Sequence, residues 1–263
     1  MELTGLFRQM VERDASDLFL KIGAPATIRV TGSLVPVDNH ELSKADLQGV
    51  FDQITTQLVR RRFEERGEAD LSYEVPGIGR FRCSIFRQRG HLGMVFRLIR
   101  THIRTFEELN LPVEQLKRLS LLPRGLVLIT GTAGSGKSTT LASMIDFINH
   151  KEHKHIITIE DPIEFTFTDD LCLIEQRELG VDTDSFAIAL KHIVRQSPDV
   201  IMIGEMRDVE TMKAALNAAE TGHLVFSTLH SVNAMQTVER IMTFFPPYQH
   251  DFIRLQLSQL LQG

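Results

Sequence analysis

The 263-residue sequence predicts an α/β protein in two parts, a small α+β domain followed by an α/β layer around a parallel sheet. Three observations carry this prediction. Turn-separated alternating runs fill residues 71–99. Apolar, β-branched runs at Leu126–Thr130, Ile156–Glu160, Val200–Gly204 and Leu224–Thr228 mostly alternate with helical patterns. Between the first of these runs and the next helical pattern stands the glycine-rich stretch GTAGSGKSTT, residues 131–140.

The elements follow in order. Leu3, Leu6, Phe7, Met10 and Val11 fall at helical spacing. Leu18–Leu20 and Thr27–Val30 read as short strands around the Gly23-Ala24-Pro25 turn. Ser43 with Asp46 three residues on offers a capping-box-like helix start, and the helix is expected to run to Arg66, with Gly67 as its left-handed stop. Leu71–Val75, Arg80–Phe86 and Leu92–Ile99 then form an antiparallel meander. The expected organisation is a domain over 1–104, a Pro-bounded connector with one short helical stretch over 105–123, and a second domain over 124–263. In the second domain Asp208 and Gly222 frame a helix as N-cap and stop.

Composition narrows the class. Apolar residues make up 43% and charged residues 24%, as in ordinary globular domains. No apolar run approaches the roughly 18–20 residues of a membrane span, and the opening MELTGLFRQMVERD has none of the features of a secretory signal. Cys83 and Cys172 stand far apart without a CxxC pair. This argues against a disulfide framework and a zinc site and fits a reducing cytoplasm. A net charge of −5 is a poor footprint for a nucleic-acid binder. The balance is uneven: residues 1–105 hold 16 Lys and Arg against 13 Asp and Glu, and the remainder 13 against 21.

Chemistry-bearing residues concentrate in the second part. Gly131-x4-Gly136-Lys137-Ser138 satisfies the phosphate-binding loop pattern, in which glycines let backbone N–H groups face the phosphates at a helix N-terminus. Gly131, Thr132, Ala133, Gly134, Ser135, Gly136, Lys137, Ser138 and Thr139 are therefore the expected nucleotide-binding residues. Lys137 can reach the β- and γ-phosphates, and the Ser138 hydroxyl can ligate Mg²⁺. Glu205 follows the strand Val200–Ile203 by way of Gly204, where an acid helps hold that metal. Glu160, Asp161 and Glu164 follow a second buried strand, and one of them could polarise a water. His223 and His230 bracket the last strand seven residues apart and point to opposite faces. His230 stands at the carboxyl end, where such sheets bind ligands, and His223 reads as structural or interfacial.

Residues 80–104 hold seven arginines (Arg80, Arg82, Arg87, Arg89, Arg97, Arg100, Arg104) and no acid. Arg80 shares a strand face with Arg82, as Arg87 does with Arg89 if the strand continues. A solvated face, an RNA or anionic lipid surface, and a guanidinium supplied to a nucleotide all fit such a run. The acidic second part is expected to hold no such donor of its own.

Together these residues resemble the type II/IV secretion ATPase superfamily, most closely the PilT/PilU retraction ATPases of twitching motility. GTAGSGKST is similar to its Walker A box, IITIEDPIEF to its Asp box, PDVIMIGEMRD to its Walker B box and AAETGHLVFSTLH to its His box, in family order and spacing. The early ASDLFL resembles its amino-terminal domain. The resemblance implies a PAS-like α+β N-terminal domain followed by a RecA-like P-loop ATPase domain, ATP and Mg²⁺, and a homo-hexameric ring. The implied motor retracts type IV pili from the cytoplasmic face of the inner membrane. It would work with a pilus platform protein and a PilT/PilU paralogue, without nucleic acid. By position Glu164 would be the catalytic glutamate, Glu205 the Walker B acid, and His223 and His230 the His-box pair. Arg82 and Arg97 match the interdomain arginines best, with Arg80 third. The catalytic set expected on this basis is Glu164, Glu205, Lys137, Arg82, Arg97 and His230. The four-cysteine zinc site of assembly relatives is missing, which favours the retraction branch over pilus assembly or type II secretion. A nucleic-acid translocase and a non-catalytic ATP-binding partner are the rival readings. The family's carboxyl-terminal helices, absent here, suggest a truncated chain.

Overall fold

The structure, a computed structural model, describes residues 2–99 and 102–263, so Arg100 of the arginine run lies outside the described residues. The chain divides into two compact units between residues 100 and 101.

The first unit is a six-stranded antiparallel sheet with three helices. Its elements are α1 (Leu3–Glu12), β1 (Ala15–Lys21), β2 (Pro25–Val30), β3 (Ser33–Glu41), α2 (Lys44–Ile54), α3 (Gln57–Arg66), β4 (Glu68–Val75), β5 (Gly79–Gln88) and β6 (His91–Ile99). The strands lie in the order β3-β2-β1-β6-β5-β4. The apolar stripe of α1 buries Leu3, Leu6, Phe7 and Met10. Phe7 stacks on Phe81 at 3.9 Å and meets Phe96 edge-on at 5.1 Å, which centres the core under the sheet. The Ser43 capping box forms in full: the Ser43 hydroxyl accepts from the Asp46 N–H, and the Asp46 carboxylate accepts from the Ser43 N–H.

Two features depart from expectation. The helix opened by Ser43 ends at Ile54 because Thr55 and Thr56 are both extended. Thr56 then caps a second helix, with its hydroxyl accepting from the Val59 N–H. Two adjacent β-branched threonines disfavour continuous helix and supply a fresh N-cap instead. Strand β3 has no counterpart in the sequence reading. It is an edge strand, almost wholly exposed and carrying Pro36, so it lacks the apolar alternation that marks a half-buried strand.

The second unit contains α4 (Val113–Ser120), β7 (Gly125–Thr130), α5 (Lys137–Asn149), β8 (His155–Glu160), β9 (Leu173–Glu178), α6 (Phe186–Ile193), β10 (Val200–Ile203), α7 (Val209–Glu220), β11 (Leu224–Leu229), α8 (Ala234–Thr243) and α9 (His250–Leu260). Its five strands are parallel, in the order β7-β11-β10-β8-β9. Both sheet faces are covered. On one, Val127, Ile156, Met202 and Phe226 pack with Leu141, Met144, Ile145 and Ile148 of α5. On the other, Leu126, Ile157, Ile201 and Val225 pack with residues of α6 to α9. Residues 105–123, expected as a connector, add Phe106 and Leu116 to the α5-side core and so belong to this unit's body. Asp208 caps α7 as expected, accepting from the Thr211 N–H at 2.7 Å.

Candidate active site

The predicted site residues of the second unit, His223 excepted, sit at the carboxyl ends of its parallel strands, where open α/β sheets bind ligands. A cleft of about 230 Å³ opens there, lined by Ala133, Gly134, Lys137, Ser138, Glu160, Asp161, Glu164, Gly204, Glu205 and His230 among others.

The glycine-rich turn joins β7 to α5. Gly134 and Gly136 take left-handed φ values of 75° and 94°, which a side chain at either position would resist. Helix α5 starts at Lys137 with no side-chain cap, leaving its first N–H groups facing the turn. Lys137 is buried, and its Nζ donates to the carbonyls of Gly131 (3.0 Å) and Thr132 (2.8 Å). The ammonium is thus held over the loop by weak neutral acceptors that a phosphate oxygen would readily replace. Ser135 closes the turn, its N–H donating to Thr132 O at 3.3 Å. Thr139 lies in the first turn of α5, where its carbonyl accepts from Ser143 Oγ.

Glu205 follows β10 through Gly204. A Cβ at Gly204 would stand 3.3 Å from the Ile159 carbonyl oxygen, a tight contact where the Gly204 N–H bonds that same oxygen and joins the β10 and β8 ends. The Glu205 carboxylate bonds Arg207 Nη2, and the His230 Nε2 lies 3.8 Å away. Arg207 Nη1 also lies 3.7 Å from Asp161. Arg207, two residues after Glu205, thus bridges two of the site's acids, a pairing the sequence reading did not include. The sequence displays it openly in GEMRD, but its role depends on how the ends of β8 and β10 come together.

The acids after β8 have unlike surroundings. Glu164 is exposed on the loop, anchored beside buried Ile163. Glu160 is 6% exposed, and burial pushes its carboxyl up to about 7. The negative charge of Glu164 adds to that rise. Hydrogen bonds from Thr158 Oγ1 (2.6 Å), Gln176 Nε2 (3.1 Å) and the Glu164 backbone oppose it. Gln176 escaped the sequence reading because β9 is an edge strand of sequence LIEQRE, with no apolar run to mark it.

The histidines divide as expected. His230 reaches the cleft. His223 stands at the opposite end of β11, with its Nδ1 2.9 Å from the Ala218 carbonyl oxygen.

The arginines 80–99 belong to the first unit. Arg82 and Arg97 are cross-strand neighbours on β5 and β6. Arg97 Nε donates to the buried Asp17 carboxylate at 2.9 Å, and Arg82 lies 3.9 Å from Asp70. Acids absent from the run itself are therefore supplied by adjoining strands. Arg87 and Arg89 do not share a strand face: β5 ends at Gln88 and Arg89 takes a left-handed φ of 50°, while Arg87 lies over the Phe63 ring. Arg104 belongs to the second unit, where its carbonyl accepts from Ser143 Oγ at 2.7 Å.

The family model for type II/IV secretion system proteins matches residues 8–258. The chain is 46% identical over 263 residues to the "Type IV pilus retractation ATPase PilT" of Pseudomonas aeruginosa, covering all of this chain and 76% of that protein. It is 48% identical to the "Type IV pilus ATPase PilU" of the same organism, covering all of this chain and 69% of that one. A solved structure described as the pilus retraction motor PilT with bound ADP superposes with a TM-score of 0.95 at 43% identity, covering all of this chain and 77% of that chain. With these matches running through both units, the chain belongs to the type II/IV secretion system protein family, as an ATPase of its PilT/PilU type.

Proposed function

We propose that the protein is a hexameric motor that hydrolyses ATP to drive type IV pilus retraction in twitching motility. The observation that carries this reading is the convergence of Lys137, Ser138, Glu164, Glu205 and His230 on one cleft at the strand ends of a PilT-like fold. In this reading the first unit is the PAS-like domain and the second the RecA-like ATPase domain.

The loop amides of residues 133–138 and the start of α5 would receive the phosphates, and Lys137 would exchange its two carbonyl partners for phosphate oxygens. The Ser138 hydroxyl and the Glu205 carboxylate are hard oxygen donors, a set that fits Mg²⁺ completed by phosphates and water. That ion, when bound, would neutralise charge on the phosphates. Glu164 would orient a water and accept its proton as the water oxygen bonds to the γ-phosphorus and the bond to the β–γ bridging oxygen breaks. Arg207 keeps the Glu205 carboxylate oriented, and His230 stands beside it. Arg82 and Arg97 would supply guanidinium charge to the nucleotide once the ring assembles. Hydrolysis would then relax the ring and transmit force to a platform protein at the cytoplasmic face of the inner membrane, alongside a PilT/PilU paralogue. Among the described residues no helix is long and apolar enough to cross a membrane.

The test is Lys137→Ala in living cells, with pili counted by electron microscopy and ATP turnover assayed on the purified variant. Turnover should vanish, surface pili should accumulate and twitching should stop. Bald cells would mean assembly instead. Unchanged pili would leave the translocase or accessory reading in its place.

A further inference from the structure

Between β8 and β9 runs the loop that carries Glu164, and one side chain of β9 makes three hydrogen bonds to it and its root. Gln176 Nε2 donates to the Phe165 carbonyl at 2.8 Å and to Glu160 Oε1 at 3.1 Å. Its Oε1 accepts from the Phe167 N–H at 2.9 Å. A primary amide has two N–H donors and one carbonyl acceptor, so each function of Gln176 holds this loop or its root. Strand register explains how it reaches there: Gln176 pairs laterally with Thr158, and Thr158 and Glu160 lie on the same face of β8 two residues apart. The loop's far end has a separate fastening, in which Asn149 Nδ2 donates to Thr168 O and its Oδ1 accepts from the N–H groups of Asp170 and Cys172.

We propose that Gln176 is a positioning residue: by clamping the backbone at Phe165 and Phe167 to Glu160, it holds Glu164 in place for water activation. This rests on the assignment of Glu164 as the water-orienting acid. The reasoning is geometric. Glu164 is exposed, and the Phe165 carbonyl that Gln176 grips belongs to the next residue along. Buried Ile163 fixes the other side. Without the amide the segment from 164 to 167 keeps Ile163 and the bond from the Glu164 backbone to Glu160, but loses both bonds that fix it just beyond Glu164, at Phe165 and Phe167. A displacement of about 1 Å at a reacting group lowers turnover by roughly a hundredfold without touching the nucleotide's own contacts. Phe165 and Phe167 line the same cleft as the phosphate-binding loop, but the bonds that hold them come from β9, so the phosphate-binding loop's own contacts to phosphate should survive the clamp's loss.

The experiment compares Gln176→Met, Glu164→Gln and the double variant in the full chain, with steady-state ATP hydrolysis, fluorescent-nucleotide binding and thermal melting. The clamp predicts that Q176M loses kcat by roughly tenfold to a hundredfold, with little change in KM for ATP or in melting temperature. It also predicts that Q176M adds no further loss on the E164Q background, because both act on one step. Native turnover in Q176M, a rise in KM matching the fall in kcat, or losses that multiply in the double variant would each overturn it. Should Q176M fail to fold, Gln176→Glu fills the same volume and keeps an acceptor for Phe167 while losing the donor to Phe165. The same loss of kcat is expected of it, and native turnover would refute the clamp. Failure of the underlying assignment looks different: E164Q itself would then turn over at the native rate. An inert E164Q beside a fully active Q176M would defeat the clamp alone.

Discussion

Replacing Glu160 by glutamine should remove a pH dependence from the stability of the second unit. Burial holds the Glu160 carboxyl up to about 7 against an ordinary 4.5. Below 4.5 the group is protonated whether the chain is folded or not, and it costs nothing. Between 4.5 and about 7 the unfolded chain has released the proton and the folded chain retains it, so stability falls as pH rises. Above about 7 the charge sits buried in the folded protein and the cost is constant. At about 1.4 kcal/mol per pH unit, the interval amounts to about 3 kcal/mol. Glutamine has nearly the same shape and no charge, so the stability of E160Q relative to native should grow by about that amount between pH 4.5 and pH 8. Taking the difference between the two proteins cancels every other titrating group. The sequence has no tryptophan, so urea unfolding is followed by circular dichroism, with amide exchange in β8 reporting the second unit alone. A stability difference that stays constant across this range would refute the reasoning, because it would mean that Glu160 titrates alike in both states.

Two further outcomes test other parts of the structure. Ser43→Ala removes the hydroxyl that accepts from Asp46 N–H at the start of α2, and should cost the first unit about 1 kcal/mol in urea unfolding without affecting ATP turnover. Gly204→Ala places a methyl group 3.3 Å from the Ile159 carbonyl and 3.4 Å from Glu160 Cα. The ends of β8 and β10 must then give by a few tenths of an ångström, and steady-state turnover should fall severalfold while nucleotide binding persists.

The cleft was largely legible in the sequence because its parts are consecutive residues with fixed roles. A glycine pattern between an apolar strand and a helix places Lys137 and Ser138 before any coordinate is known, and acids following β-branched runs mark Glu160, Glu164 and Glu205. Ser43 and Asp208 were legible for the same reason, since a cap acts on N–H groups two or three residues away. What stayed hidden depends on lateral neighbours. Strands β3 and β9 lie at sheet edges, where half the residues meet solvent and hydrophobic period conveys little. Gln176 could not be linked to the Glu164 loop without the register of β8 and β9, nor Arg207 to Asp161 without the closeness that Gly204 allows. The acids that partner Arg82 and Arg97 come from β4 and β1, the latter 80 residues away in sequence.

The sheet's order has a consequence for how turnover could be silenced. One border, β7, is not bare: residues 261–263 run alongside it, with Gln262 N–H donating to Leu126 O and Leu128 N–H to Gly263 O, both at 2.9 Å. The other border is β9, which among the described strands has β8 as its one partner. Glu205 follows β10 at the middle of the sheet, whereas Gln176 rides on that outer border. Detaching β9 breaks one ladder and the three side-chain bonds of Gln176, and leaves the central strands and the phosphate-binding loop intact. In such an opened state the phosphate-binding loop would keep its place while the loop carrying Glu164 lost the bonds from Gln176. Loosening of the Glu164 loop would therefore need only the fraying of one border strand, not the unfolding of a domain.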